Sequence, residues 1–274
     1  DFAVFGVLSG DRSRYDSGSH VDMSSFSLVT GLSLGANLAP GRLTLGAFFE
    51  YGNGSYDTYN SFTTASIHGH GNAHYSGGGI LGHMDFADTG PGRFYAEASA
   101  RAGRLHNDYK NSDLRDAQGR RGDYDSSSTY YGAHAGAGYL WNITDKNVLD
   151  LYGNFFWTRQ KGDTVTLPSD DSVSFKDADS RRLRGGVRLT HAVTEYVRPY
   201  IGLAYEHEFS GTVKSTTYGL PIDEPSVKGG TGIGEIGLSV TPSPNRPLAF
   251  DLGVQGYTGK REGVTGSLRV NFKF

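Results

Sequence analysis

The last nine residues, GSLRVNFKF (266–274), alternate apolar and polar side chains and end on an aromatic residue. A period of two places successive side chains on opposite faces of a β-strand, and no helical spacing fits it. The apolar row of this segment is Val264, Gly266, Leu268, Val270, Phe272 and Phe274. The chain is therefore predicted to end on an ordered strand, although chain ends are usually frayed and polar.

The same alternation recurs along the whole chain. Clear examples lie at 42–51, 94–103, 182–189, 200–208 and 248–255. In each of them an apolar row faces a row that is polar or rich in glycine, as expected of strands that separate two different environments.

Turn-forming residues separate these segments, and the breaks alternate between two sizes. The short breaks are at 38–41, 87–92, 142–147, 192–196 and 241–246, and the longer polar ones are at 11–24, 53–73, 104–128, 160–178, 210–230 and 257–263. Five short and six long connections predict twelve strands. An even number of antiparallel strands in a closed barrel places both termini on the side of the short turns.

The composition of the two rows distinguishes a membrane barrel from a soluble sandwich. The polar row mixes glycine with arginine and glutamate, as in RRLRGGVRL (181–189), which suits a lumen where large and small side chains interdigitate. The apolar row carries aromatic residues near strand ends, as lipid interfaces favour. These are Tyr51, Tyr139, Trp141, Phe155, Trp157, Phe209 and Phe250. We predict an all-β fold, a closed 12-stranded antiparallel transmembrane β-barrel that occupies residues 1–274 as one domain.

Composition excludes several other classes. The longest uncharged run, 23–41, is interrupted by Ser, Gly, Asn and Pro and does not predict a transmembrane helix. The absence of Cys excludes disulfides, thiolate metal sites and cysteine nucleophiles. A net charge of -3 gives no basic surface for nucleic acid, and no GxxxxGK[ST] motif is present. We predict no cofactor and no enzymatic activity of the barrel's own.

Charged residues on the polar rows are the candidate functional residues, because they would line the lumen. They are Glu50, Glu97, Arg101, Arg182, Arg184, Arg188, Glu206, Glu208, Glu235, Asp251, Arg269 and Lys273. Two compatible interpretations remain open. The acids and bases would pair and brace a barrel too wide for apolar side chains to fill, or they would form a polar wall along which a polypeptide segment passes.

The sequence resembles the C-terminal translocator barrel of classical monomeric autotransporters of Gram-negative bacteria. The resemblance covers essentially the whole chain. It is carried by RFYAEASARAGR (93–104), DSRRLRGGVRL (179–189), VRPYIGLAYEHEFSG (197–211), GIGEIGLS (232–239) and GSLRVNFKF (266–274).

The resemblance implies a monomer in the outer membrane that contacts lipid and lipopolysaccharide, and that anchors and helps export an N-terminal passenger. It also implies that the barrel assembly machinery reads the terminal strand, with Leu268, Val270, Phe272 and Phe274 as the signal. Family members carry a helix before the first strand, whereas this sequence starts at DFAVFG (1–6). Either a passenger and helix lie upstream of residue 1, or the barrel is used without them.

Three other functions have some support in the sequence. His74 and Ser76 share one face of a strand, a faint similarity to the outer-wall site of outer-membrane phospholipase A. An omptin-like protease would need a His beside aspartates such as Asp22, Asp170 and Asp171. A metal site would use the three histidines of HGHGNAH, which are His68, His70 and His74.

A porin-like passive channel is the remaining alternative. The segment 104–128 is rich in charge and would either fold inward as a constriction or stay solvated. Its charged residues include Asp108, Asp113, Arg115, Asp116, Arg120, Arg121, Asp123 and Asp125.

Overall fold

The computed structural model describes residues 1–61, 66–111, 113–222, 224–242 and 247–274. Within these residues twelve antiparallel strands close into one barrel, as predicted. They are β1 (Phe2–Asp16), β2 (His20–Leu38), β3 (Gly41–Ser61), β4 (Ser66–Phe86), β5 (Gly92–Asn111), β6 (Tyr124–Thr144), β7 (Asn147–Gln160), β10 (Ala178–His191), β11 (Val197–Glu208), β14 (Gly229–Val240), β15 (Leu248–Gly259) and β16 (Arg261–Lys273).

A separate four-stranded sheet lies in the connections β7–β10 and β11–β14. Its strands are β8 (Thr164–Thr166), β9 (Ser172–Phe175), β12 (Ser215–Thr217) and β13 (Leu220–Pro221), in the order β13-β12-β9-β8. No helix in the described part of the chain is long and apolar enough to cross a membrane.

The first and last barrel strands close the sheet. β1 pairs with β16 from Ala3↔Lys273 to Tyr15↔Arg261, and the Phe274 amide donates to the Phe2 carbonyl over 2.8 Å. This pairing removes both strand edges, because each backbone group along the seam finds a partner on the other strand. The predicted ordered C-terminus is confirmed.

Both termini lie on the side of the short connections, which we call the short-turn end. The predicted short breaks are found there, although residues 243–246 of the last one lie outside the described residues. The opposite side, the loop end, differs from the prediction. There β1 and β2 are joined by only 17–19, and β15 and β16 by Lys260 alone. The predicted long loops at 11–24 and 257–263 are wrong.

The predicted loops at 53–73 and 104–128 are also mostly strand. β3 and β4 continue to Ser61 and from Ser66, and β5 continues to Asn111. These extensions are polar on both faces, so the alternation of apolar and polar side chains stops while the ladder of hydrogen bonds continues. Sequence patterning therefore located the end of the apolar band and not the end of the strands.

The outer face of the barrel is apolar. Leu203 is 67% exposed, and Ile80 and Leu34 are similarly open, while Glu50 on the inner face is almost fully buried. A soluble barrel would show the reverse. An apolar band around a closed barrel is the surface that a lipid bilayer requires.

Aromatic residues border this band at both ends, as predicted. Phe94 and Tyr139 pack at the short-turn end with ring centroids 4.7 Å apart. Phe26 and Tyr51 pack toward the loop end at 5.9 Å. The stretch of β6 from Tyr131 to Tyr139 on the outer face is nine residues long, the lower end of the roughly 9–11 residues that a tilted strand needs to cross a bilayer core.

Glycines on the inner face allow large side chains to lie flat against the neighbouring strands. A Cβ at Gly103 would lie 2.3 Å from the Ser76 carbonyl oxygen and 2.5 Å from the Tyr130 hydroxyl. At Gly237 it would lie 2.2 Å from the Tyr200 ring. The mixture of glycine with large polar residues thus packs the inner wall without filling the lumen.

Candidate functional site: the charged lumen

Glu50 on β3 forms the most buried charged contact of the inner wall. It is 2% exposed, its Oε1 accepts the Tyr130 hydroxyl at 2.6 Å, and its Oε2 accepts Arg101 Nη1 at 2.9 Å. These partners come from β6 and β5, so the cluster reaches across four neighbouring strands. A carboxylate so placed needs both donors, because an unpaired buried charge is costly.

A second cluster joins β10 to β11. Arg184 donates through Nε and Nη2 to Glu206 Oε2 at 3.0 and 2.8 Å, and Arg182 Nη1 lies 3.4 Å from Glu206 Oε1. Glu208 accepts the Ser180 hydroxyl and the amide of Arg181. Arg182 and Arg184 also lie 5.4 and 5.6 Å from the centre of the Phe156 ring.

A third cluster lies closer to the short-turn end. Arg188 donates to Glu235 at 2.6 and 3.0 Å, and Gln255 donates to the same carboxylate. The guanidinium of Arg188 lies 4.7 Å from the centre of the Tyr200 ring. Tyr200 in turn donates to Asp251 at 3.1 Å, which extends the cluster onto β15.

The remaining predicted lumen residues are held less tightly. Glu97 lies 3.6 Å from His83 Nδ1 and 3.5 Å from His134 Nε2. Arg269 faces Asp251 across the β15–β16 pair, but Asp251 already accepts from Tyr200 and Ser239. Among the described residues, Arg269 and Lys273 have no ion pair.

Sequence analysis missed further charged residues of the inner wall, among them Arg261 and Asp11. Arg261 donates to Asp11, Ser13 and Thr265 and lies 3.6 Å from the centre of the Tyr257 ring. These positions were missed because 11–24 and 257–263 were predicted as loops.

Asp150 is another missed acid, and it accepts the Tyr95 hydroxyl at 3.0 Å. It alternates with Leu149 and Leu151, so the period of β7 was a sufficient signal.

A cavity of about 470 Å³ lies beside the first cluster and reaches Arg182 of the second. Charged and aromatic side chains of its wall include Glu50, Glu97, Arg101, His83, His134, Phe156 and Arg182. The wall is therefore rich in hydrogen-bonding groups. Of its two carboxylates, Glu50 pairs with Arg101, and Glu97 lies beside His83 and His134.

The small sheet packs at the loop end of the lumen. Phe175 of β9 lies 5.6 Å from the inward-facing Tyr124 ring, and the Lys176 amide donates to the Lys214 carbonyl. Nearby, the pKa of the Asp177 carboxyl is lowered, because the Gly162 amide and the Lys161 ammonium donate to it. The connections β7–β10 and β11–β14 thus form one folded unit.

The structure does not favour the predicted alternatives. His74 and Ser76 face outward on β4, where His74 stacks on His106 at 5.0 Å; successive same-face positions are roughly 7 Å apart, too far for a nucleophile and its base. Asp22 pairs with Arg14, and Asp170 lies 3.6 Å from Arg120.

The histidine cluster and the charged segment are also placed differently. His68 and His70 lie on β4 and not on a loop; they contact Asp113 and Asp57 separately, and no metal-binding group occurs in the described ranges. The described part of the segment between β5 and β6 closes on itself through Asp116 and lines no part of the 470 Å³ cavity. An inward constriction by this segment is not observed.

The sequence matches the family described as "Autotransporter beta-domain" over residues 4–255. The chain belongs to this family. Autotransporter β-domains are translocator barrels of the Gram-negative outer membrane, so this barrel is an outer-membrane translocator of type V secretion. The short-turn end is accordingly periplasmic and the loop end extracellular. Translocator domains of the family are typically not enzymes.

Solved structures show the same fold. The transport unit of the autotransporter AIDA-I from Escherichia coli superimposes with a TM-score of 0.81 at 17% identity, covering 99% of this chain and 90% of that one. The translocator domain of NalP from Neisseria meningitidis gives 0.72 at 13% identity over 100% and 88%. The β-domain of Bordetella BrkA gives 0.72 at 14% identity over 100% and 99%. No curated protein sequence matches the chain.

Proposed function

We propose that the paired charges of the lumen form the wall along which an N-terminal passenger segment crosses the outer membrane. The observation that carries this proposal is that Glu50, Glu206 and Glu235 on the inner wall are each paired with an arginine, and that Glu50 and its partner Arg101 line an open cavity of about 470 Å³. Such a wall offers hydrogen bonds to a passing peptide without a strong net field that would trap it.

The position of Asp1 supports this route. Its amino group donates to the Gly35 carbonyl at 3.0 Å, and its carboxylate pairs with Arg42 at 2.7 Å. Arg42 is on the inner face of β3, so a segment joined to Asp1 would start at the periplasmic rim of the lumen. Lys273, which lies opposite Ala3 at the same rim and has no ion pair among the described residues, would meet the segment before Arg269 does.

We further propose that residues 1–274 work as one domain with no chemistry of their own, and that the barrel assembly machinery recognises the outward row of β16. Phe274 is 72% exposed and packs 5.3 Å from Phe2 and 4.8 Å from Phe272. A Phe274→Ser variant is expected to refold in detergent nearly as well as the parent but to reach the outer membrane of cells several-fold less. Equal assembly of the two in cells would contradict the signal.

A planar-bilayer measurement tests the lumenal route. The barrel of residues 1–274 is compared with a version that carries the protein's own upstream segment. We expect the first to conduct and the second to be largely closed, because a segment starting at Asp1 occupies the lumen. Equal conductance of both would favour a porin-like channel.

Two substitutions at neighbouring positions of β5 distinguish the effect of narrowing the lumen from the effect of a bulky residue on the outer face. Ser99 lines the cavity, whereas Ala100, the next residue on β5, faces outward. Ser99→Trp is expected to lower both conductance and surface display of a fused reporter several-fold, since it narrows the lumen. Ala100→Trp, the matched control, should leave both unchanged. An equal effect of the two substitutions would contradict passage through the lumen.

A further inference from the structure

Three arginines lie on the outer wall immediately beyond the apolar band, at its extracellular border. Outward positions on β5 run from Phe94 to Ala102 and are followed by Arg104; on β7 Trp157 is followed by Arg159. On β10 the outward row ends at Leu183 and is followed by Arg181.

These arginines form one continuous row around the barrel. β5, β6, β7 and β10 are successive neighbours in the sheet. Arg104 pairs in register with Thr129, Arg159 with Tyr131, and Arg181 with Trp157. Strands lie about 4.8 Å apart, so Arg104 and Arg181 are separated by roughly 14 Å across three strand-to-strand steps and by four residues, roughly 13 Å, along the strands.

The row carries more positive than negative charge. Arg159 is bidentate to Asp179 at 3.0 and 2.8 Å, and Trp157 Nε1 donates to the same carboxylate. Asp179 is thereby occupied. Among the described residues, Arg104 and Arg181 have no ion pair, and both are exposed.

Arg181 is also held in place by its surroundings. Its amide donates to Glu208 at 2.8 Å, and its carbonyl accepts the Phe209 amide at 2.9 Å. Arg181 lies between two aromatic positions, Trp157 on the neighbouring β7 and Phe209 immediately after the end of β11. A cation between aromatic side chains of the interface sits at headgroup depth.

The opposite wall at the same level has a different charge pattern. Arg14 pairs with Asp22 at 2.6 Å, and Arg12 lies beside Asp22 and Glu262 around one surface pocket. On that wall the arginines are balanced by acidic residues. Their depth in the membrane alone therefore does not explain the surplus of positive charge on β5 to β10.

We propose that Arg104, Arg159 and Arg181 bind the phosphates of lipopolysaccharide in the outer leaflet. The guanidinium fork matches phosphate oxygens and is less strongly hydrated than an ammonium, which favours it at a half-dry interface. Lipid A carries phosphates at both ends of a disaccharide, beside acyl chains that would lie on the apolar rows below. The arginine row supplies cations for both phosphates. Below it, the outward alanines of β5 and β6 offer a smooth surface to the acyl chains.

Native mass spectrometry of the refolded chain in detergent, titrated with lipid A, tests the proposal. Dephosphorylated lipid A and phosphatidylglycerol serve as comparison ligands for the unmodified protein. The variant is Arg104→Gln with Arg181→Gln, and the matched control is Arg12→Gln with Arg14→Gln on the opposite wall. Heat-dependent gel migration checks that each variant is folded.

We expect the unmodified chain to retain lipid A and to bind dephosphorylated lipid A and phosphatidylglycerol at least tenfold more weakly. The Arg104/Arg181 variant should lose roughly thirtyfold in affinity for lipid A, since each surface arginine contributes about a factor of five. The control variant should bind as the parent does.

Three outcomes would overturn the proposal. Dephosphorylated lipid A binding as tightly as lipid A would show that phosphate is not read. Phosphatidylglycerol binding equally would show a general anionic surface. An equal loss of affinity for lipid A in the Arg12/Arg14 control would show that it does not matter which wall of the barrel carries the arginines. The two ligand comparisons use only the unmodified chain, so they stand even where a variant fails to fold.

Discussion

β10 presents arginines on both of its faces, and the two sets differ in their partners. Arg182, Arg184 and Arg188 point inward, and each lies within ion-pair distance of a glutamate on β11 or β14. Arg181 points outward from the same strand and has no ion pair among the described residues. The inner charges lie against packed walls and need internal partners, whereas the outer one can use water or a lipid headgroup.

The largest effect is expected from a cation placed where neither a partner nor water is present. Leu203 faces outward in the middle of β11 and is 67% exposed, as is Leu220 of the extracellular sheet. Leu203→Arg should lower the free energy of unfolding in lipid vesicles by about 3 kcal/mol. Leu220→Arg should change it by less than about 0.5 kcal/mol. Equal effects would show that the two leucines share one environment.

Removing the glutamate that pairs with the inner arginines tests whether the inward-facing charges need internal partners. Glu206→Ala leaves Arg182 and Arg184 without their main acceptor, and we expect a loss of about 2 kcal/mol in urea unfolding, less than for a fully dry pair because the lumen is partly wet. The control is Arg181→Gln on β10, the strand that carries Arg182 and Arg184, and it should cost less than about 0.5 kcal/mol. A stability unchanged by Glu206→Ala would mean that the inner pairs are merely solvated.

Uncharged substitutions at glycine test whether the inner face of the barrel is more tightly packed than the outer face. An added Cβ at inward Gly103 would meet the Ser76 carbonyl and the Tyr130 hydroxyl, whereas at outward Gly234 it meets nothing within 4 Å. Gly103→Ala is expected to destabilise by about 1.5 kcal/mol and Gly234→Ala by much less. Chemical denaturation of both variants measures this, and a larger loss at Gly234 would contradict the packing of the inner wall.

The smallest effect is expected at the extracellular unit. The pKa of Asp177 is lowered by the donors Gly162 and Lys161, so the ionised carboxylate stabilises this contact. That contribution is complete above the ordinary pKa of about 3.9 and is lost as pH falls through the lower native value. Hydrogen exchange at the Gly162 amide should lose protection in that range, and Asp177→Asn should remove the dependence. The Gly211 amide, bonded to a backbone carbonyl, is the control.

The barrel and its strand number were predictable because a bilayer imposes one pattern on every strand. Where strands leave the lipid, both faces meet water and the pattern stops, so Asp11 and Arg261 were assigned to loops although they face each other inside the barrel. The partners of the lumen charges were not predictable either. Arg188 meets Glu235 from a strand that is not its neighbour, which depends on side-chain reach across β11.

The seam between β1 and β16 also sets the order of events in assembly. Each other barrel strand pairs with neighbours that are close in sequence, whereas Arg261 and Asp11 are 250 residues apart. Sheet growth from hairpins can proceed early, but the ring stays open until the final strand has been synthesised and delivered. Until then, the two strands at the open edges of the sheet each lack one of their two neighbouring strands. A cell must therefore keep the barrel strands from folding prematurely, and the arrival of β16 decides when the barrel is complete.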